Sequence, residues 1–506
     1  MTIRRIFLFV VCTFTSALLN AQDTGKTHIT YDLTTEAAVG TGDYTAYQIV
    51  SNRHHVLGTR SNTAYMRGAV SIEHSLGKDW NLSGTVDGIA SVHADHKAYL
   101  QQCFANLSYQ NFYIEAGTRE DKQVIRNDLL SCGSFVKGTN AKPFAQLRIG
   151  TKEFWTLPFT KGWIQVHFDG GYGRFLDSQY REDAFKKGFK SDGKNINMKY
   201  ATDIYMHQKH LYIRTNPTKQ FFAMVGIEHM VQFGGTAYKY NKQGVLAKKN
   251  KPTDLMAFLE VILPFGDSNY AEHDAMEDWI FGNHVGMMTA QIGWNINKDH
   301  LVQAYLDNPF EDGSGIRKGN GWDGLWGIEY TNKTAGIQPV RGAVIEYFQS
   351  TNQSGPLHWD GNDYGEPVKS QINDFVTGKD EYYNHTCYDS YTHYGMTPGN
   401  PLITSPIYNT DGYTAYRDNR VKAWHVGVNG EITGHLSYLV KGSYREGWGT
   451  YDKPLPVKHH SFDAMVQGNY TTGPWQFSAA YAFDKGNIYG DNSTFDIKIS
   501  YHGKIL

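Results

Sequence analysis

Residues Trp475–Asp484 read WQFSAAYAFD. The odd positions Trp475, Phe477, Ala479, Tyr481 and Phe483 are apolar, whereas Gln476, Ser478, Ala480, Ala482 and Asp484 are small or polar. Successive side chains of a strand point to opposite faces, so this is a strand of about ten residues with one greasy and one wet face. The same period fits Leu436–Tyr444, Phe462–Tyr470, Leu82–Val92 and Phe112–Thr118. In the last segment, TFDIKISYHGKIL, residues Phe495, Ile497, Ile499, Tyr501 and Ile505 hold the phase almost to the end.

Alternating strands build either a soluble sandwich or a transmembrane barrel whose apolar face meets lipid. Three features favour the barrel. The wet face carries Asp87, Glu115, Lys441, Asp463, Asp484 and Lys498, which suits a polar lumen. The greasy face places aromatics near strand ends, as interfacial girdles require, and the strands run about 9–11 residues rather than the 5–6 of a sandwich.

Eighteen strands are expected, near 29–40, 64–75, 80–92, 98–108, 112–118, 144–154, 163–173, 209–216, 220–232, 285–295, 300–307, 324–331, 341–349, 421–431, 436–445, 461–470, 475–484 and 494–502. Their connections alternate. Those at 76–79, 109–111, 155–162, 217–219, 296–299, 332–340, 432–435 and 471–474 are short. Those at 41–63, 119–143, 174–208, 233–284, 308–323, 350–420, 446–460 and 485–493 are mostly long, and only 93–97 is a brief exception. Short turns on the periplasmic rim and long loops on the outer rim mark an outer-membrane barrel. The even count requires that Asp254–Leu263 (DLMAFLEVIL) is a helix: Thr253 and Asp254 start it, Pro264 stops it, and Leu255, Phe258, Leu259 and Ile262 share one helical face. Met276–Phe281 is a candidate second helix in the same loop.

The chain opens MTIRRIFLFVVCTFTSALLNAQD, with Arg4 and Arg5, an apolar run from Ile6 to Leu19 and a small residue, Ala21. That is the layout of a secretory signal over residues 1–21, too short to span a membrane as a helix and cut near Ala21, which leaves 22–506 as the barrel with loops folded over its mouth. Cys12 follows Val10 and Val11 rather than a small residue, which argues against lipidation. The other three cysteines, Cys103, Cys132 and Cys387, have neither disulfide-framework nor zinc spacing, and the sequence leaves open whether Cys132 pairs with Cys387. A net charge of −2 argues against nucleic acid as a partner.

The long connection 350–420 holds YYNHTCYDSYTHYG at 382–395, five tyrosines in fourteen residues with no aliphatic side chain. Aromatic rings stack on the C–H faces of sugars, and the tyrosine hydroxyl adds a hydrogen bond. Trp359, Tyr382, Tyr383, Tyr388, Tyr391 and Tyr394, set among Asp360, Asp389, Asn384 and His393, are therefore candidate polysaccharide contacts on a loop above the mouth. The competing reading is a local cap that packs the loop over the lumen. Trp448, flanked by Gly447 and Gly449, joins the candidates, and Trp322 in GNGWDG has similar surroundings. Two basic runs, Lys186, Lys187, Lys190 and Lys194, then Lys239, Lys242, Lys248, Lys249 and Lys251, suit acidic polysaccharide or lipopolysaccharide phosphates, or simply a solvated surface.

His93, Asp95 and His96, and Glu272, His273 and Asp274, lack metal-site spacing, and DGNDYGE at 360–366 lacks the twelfth-position Glu of a calcium loop. No hydrolase, zinc-protease or phosphate-loop motif is present, so neither a cofactor nor a catalytic residue is indicated.

Several stretches together resemble the Wzi capsule-assembly family in a Bacteroidetes-type version: SNRHHVLG at 51–58, LLSCGSFVKGTNAKPFAQLRIG at 129–150, DLMAFLEVIL followed by HVGMMTAQIGW, and YYNHTCYDSYTHYGMTPGNPL at 382–402. The resemblance covers most of the chain in order. It implies an outer-membrane, non-enzymatic, lectin-like barrel that attaches or assembles capsular or surface polysaccharide. Outer-membrane lipids and lipopolysaccharide are its other expected partners, and a monomer is its expected state. Little sequence precedes the first strand, which departs from family members with an N-terminal periplasmic helical element. A porin or substrate-specific channel is the alternative from another class.

Overall fold

The computed structural model describes residues 26–241, 243–263, 281–311, 313–353, 358–359, 375–376 and 381–506. The signal-peptide reading over 1–21, residues 276–280 of the candidate second helix, Glu272–His273–Asp274, Lys242 and the stretch 360–366 lie outside the described residues. Among those described, eighteen long strands form one antiparallel sheet in chain order, from Thr27–Thr41 to Asn492–Lys504. The sheet closes on itself: Thr30 to Thr41 of the first strand run against Lys504 to Ser493 of the last. Closure leaves no edge with unpaired backbone groups, which is the condition for a sheet to sit in hydrocarbon.

The side chains follow the alternation read from the sequence, but with a distribution inverse to that of a soluble protein. On Trp475–Gly486, Tyr481 is 53% exposed, while its neighbour Ala482 is 0% and Asp484 2%. Leu33, Val86, Ile114, Ile292, Ile328, Ile345, Val426 and Ile497 are likewise exposed, and Glu36, Asp87, Glu115, Asp307, Glu346 and Asp463 are buried. A continuous exposed apolar belt with buried charges inside is stable only where the outside is lipid. Toward the short-turn rim the belt ends in paired aromatics: Trp80 with Tyr109 at 4.8 Å, Phe112 with Trp155 at 5.3 Å, and Trp475 with Tyr501 at 4.8 Å between ring centroids. Among the described residues no helix is long and apolar enough to cross a membrane.

Three expectations change. The connection placed at 446–460 is much shorter, because the strands Leu436–Gly449 and Pro454–Thr472 continue their pairing beyond the belt, with a register shift at Gly447/Gly449. The strand placed at 144–154 is Ala145–Thr151, interrupted before a two-residue piece, Trp155–Thr156, that pairs with the same neighbour. The helix is Leu255–Glu260, started by the Asp254 carboxylate accepting from Ala257 N at 3.1 Å, as its sequence indicates. Its buried side is Ala257 and Val261 with Phe258 packed alongside, and Leu255 and Leu259 face outward, so the expected apolar face is rotated.

Candidate functional site

Two of the long connections, 42–62 and 119–144, and the 381–420 part of a third turn down into the barrel instead of lying above it. The short helix Tyr47–Val50 docks on the inner wall: Tyr47 N donates to Asp484 Oδ1 at 3.0 Å, and Gln48 Nε2 donates to Ser443 at 2.9 Å and to Asp463 at 2.6 Å. The buried Arg445 guanidinium lies over the Tyr47 and Tyr489 rings, 4.1 and 4.6 Å from their centroids, and pairs with Asp463 at 3.3 Å.

The 119–144 connection crosses the lumen. Arg126 pairs with Asp307, Ser131 Oγ and Cys132 N each donate to Glu346 at 2.7 Å, and Ser134 Oγ donates to Glu228 at 2.8 Å. His425 donates to Leu130 O at 2.7 Å. Wall carboxylates and one imidazole on separate strands thus satisfy the backbone and hydroxyls of a loop carried into the interior, as buried polar groups require. Gly427 permits the close approach, since a Cβ there would stand 2.8 Å from Leu130 O.

The tyrosine-rich stretch packs onto that crossing segment. Tyr383 OH donates to Phe135 O at 2.5 Å and Tyr391 OH to Val136 O at 2.8 Å. Tyr382 OH donates to Gln353 O at 3.1 Å, Tyr388 OH to Gly234 O at 3.4 Å, and Tyr416 OH to Tyr391 O at 2.7 Å. Tyr383 is 0% exposed, and Tyr382, Tyr388 and Tyr391 are as deeply buried. Their rings join one cluster with Phe135, Met206, Met230, Met287, Tyr305 and Phe348 of the plug and upper wall. The expectation that these four rings are offered to a glycan above the mouth is corrected here: they are the interior of a plug. Aliphatic side chains are unnecessary in the stretch because the wall supplies them. Tyr383, Asp389 and Tyr394 hold left-handed backbone, with φ of 72°, 66° and 53°. Non-glycine residues keep such conformations where surrounding contacts over-determine them.

The remaining candidates separate. Tyr394 is half-buried at the long-loop rim, donates to Leu176 O at 2.8 Å, and meets His96, with ring centroids 4.7 Å apart. Trp448 is half-buried, with Lys422 and Lys458 each 5.7 Å from its ring. Trp359 lies in a two-residue strand, His358–Trp359, paired with Phe375–Val376. Trp322 is 69% exposed and leans on Trp326. Of the basic runs, Lys239, Lys248 and Lys249 lie on a small sheet formed by Lys199–Thr202, Thr236–Tyr240 and Leu246–Asn250, whereas Lys186 pairs with Glu182 at 2.6 Å. No disulfide joins Cys103, Cys132 or Cys387 to one another. Among the described residues no group of three or more His, Cys, Asp or Glu is arranged to hold a metal.

Beneath the plug lies a cavity of about 540 Å³, bounded above by Arg126, Val136 and Lys137 and reaching Glu73, Asn81 and Lys152 near the short-turn rim. Sequence reasoning missed the crossing segment. Its one signal was the set of apolar pairs Leu129–Leu130 and Phe135–Val136 in an otherwise polar connection.

No family model matches the chain, and no curated protein matches it. Among solved structures it is similar to Wzi of Escherichia coli, an outer membrane protein involved in group 1 capsule assembly and a carbohydrate-binding β-barrel. The identity is 11% and the TM-score 0.53, over 97% of this chain and 87% of that one. It is also similar to OccK5 (OpdH) of Pseudomonas aeruginosa, at 9% identity and TM-score 0.47 over 95% and 99% of the two chains. OprD of the same organism follows at 8% and 0.45 over 95% and 94%. At such identities the likeness to Wzi shows a shared barrel fold.

Proposed function

We propose that this chain is a non-enzymatic, lectin-like protein of the outer membrane that holds surface polysaccharide at its outer rim, in the manner of Wzi. The supporting observation is the construction of the upper lumen. Three connections interlock there through buried carboxylates, an arginine pair and a tyrosine core, while aromatic rings and cations remain at the rim. A rigid plug forgoes permeation and supplies a fixed platform, and preorganised rings bind sugars without an ordering cost. On this reading Tyr394 and Trp448 contact glycan directly, whereas Tyr382, Tyr383, Tyr388 and Tyr391 hold the platform.

The test is deletion of the gene followed by measurement of cell-bound and shed polysaccharide. Loss of the bound fraction with a matching rise in the medium is expected, and an unchanged ratio defeats the reading. The cavity beneath the plug favours a second reading, a gated channel whose inner half is already open. Planar-bilayer recording separates the two, since a large steady current from the purified protein belongs to the channel.

A further inference from the structure

The long-loop rim carries a cluster that the tyrosine core does not use. Lys142 lies near the end of the 119–144 connection and is only 7% exposed. Among the described residues its ammonium has neither a hydrogen-bond acceptor nor an ion-pair partner, although the nitrogen itself keeps contact with solvent. It stands 3.1 Å from the centroid of the Tyr99 ring and 5.3 Å from that of Tyr394. The neighbouring carboxylate, Asp95, is engaged by His55 Nε2 at 3.0 Å and by Thr59 N at 3.0 Å. A ring face holds an ammonium weakly compared with the cost of burying that ammonium without a counter-charge. Lys142 is thus a largely buried cation without an ion-pair partner among the described residues.

The groups around it share that incompleteness. His96 meets Tyr394 edge-on at 4.7 Å and Tyr99 at 5.8 Å, and Tyr180 lies 5.9 Å from Tyr394. His55 Nδ1, His96 Nε2 and His393 Nε2 are all sealed from solvent with no partner. His393 Nδ1 donates to Lys142 O at 2.8 Å, so in the neutral ring Nε2 is an acceptor awaiting a donor. Burial, with the nearby Lys142 ammonium, pulls His96 down to about 3, and burial pulls His393 down to about 4, so both rings are neutral at ordinary pH. Orphaned buried nitrogens are rare, and here two belong to rings that feel the Lys142 charge, His96 and His393, while the third is on His55 beside Asp95.

We propose that this rim cluster is a subsite for an acidic sugar: its carboxylate pairs with Lys142, whose nitrogen remains open to solvent, and its C–H face lies on the half-buried rings of Tyr394 and Tyr180. The inference rests on the glycan-holding reading and deepens it by naming a uronate as the residue recognised.

Calorimetry on the purified full chain in detergent tests it, using a glucuronic-acid-containing tetrasaccharide and its carboxyl-reduced counterpart. The acidic form is expected to bind at least ten-fold more tightly. Lys142→Met should abolish that preference while leaving the heat-modifiable gel mobility of a folded barrel intact. Equal affinity of the wild-type protein for the two forms, or an undiminished preference in the variant, overturns the proposal. So does displacement of the tetrasaccharide by inorganic phosphate at lower concentration than by free glucuronate, which assigns the subsite to phosphate. Should Lys142→Met fail to fold, carbodiimide coupling of the tetrasaccharide to the wild-type protein decides. An amide at Lys142 found by mass spectrometry supports the subsite, and none there sinks it. Binding of both tetrasaccharides without preference removes the uronate assignment but keeps glycan holding. Binding of neither, with no polysaccharide shed on gene deletion, removes both.

Discussion

Single side chains hold this plug by completing one another's charge and hydrogen bonding. Arg126 and Asp307 are both buried, and removing one partner of such a pair strands the other. Arg126→Met is expected to cost about 3–5 kcal/mol, read as a lowered temperature for loss of the folded gel mobility. Asp307→Asn paired with Arg126→Met should recover part of that loss. Lys142 yields a pH prediction. Burial pushes its ammonium down to about 7, and a bound carboxylate raises it again, so uronate binding is strongest below pH 7 and fades as the pH climbs through that value. The rings of Tyr99 and Tyr394 face its ammonium, and Asp95, His96 and His393 act on or feel its charge, with His55 against Asp95, and with Asp177 and Arg181 acting on His393 and on Tyr180. His96 and His393 titrate well below this window, and Asp95, although buried, is held below the usual carboxylate range by His55 and stays ionised. Affinity for the acidic tetrasaccharide measured from pH 6 to 8.5 should fall about ten-fold or more, and that for the carboxyl-reduced form should stay level.

Elements divide the labour between wall and filling. Strands turn every second side chain inward, Glu346 and Glu228 among them, and the 119–144 connection supplies the donors that use these carboxylates. This connection is a structural strut, and removing residues 127–134 should leave Glu346 and Glu228 facing water while the barrel still closes. The expected result is a steady planar-bilayer current about ten-fold above that of the wild-type protein, with unaltered membrane insertion, and an unchanged current would mean that the other connections seal the lumen by themselves. Gly427→Leu should act in the same direction more weakly, because its side chain competes with Leu130 for one place against the wall.

For the whole molecule, the inverted distribution of polarity sets where the chain is stable. Ile345 and Glu346 are adjacent on one strand, the first in the exposed belt and the second bonded within the plug. Ile345→Arg places a charge mid-belt and should weaken folding into lipid vesicles by about 2–4 kcal/mol in a urea titration, as lipid-facing cations do near the bilayer midplane. The eighteen strands, their facing and the end carrying the long connections were legible in the sequence. Side-chain alternation is a local property of two neighbouring residues, and WQFSAAYAFD carries it unaided. The Asp254 start of the short helix was legible for the same reason, since a cap reaches only three residues along the chain. The contents of the barrel were not legible. Tyr391 meets Val136, and Asn400 donates to Gly133, across separations of 255 and 267 residues. A tyrosine-rich loop has the same composition whether it waits above the mouth or fills it. Period-two alternation in the sequence therefore determined a lipid-facing outer surface and a polar inner one. Only the tertiary structure decided that protein fills the upper half of that lumen, because loop docking depends on the simultaneous pairing of groups from distant strands, which no local pattern records.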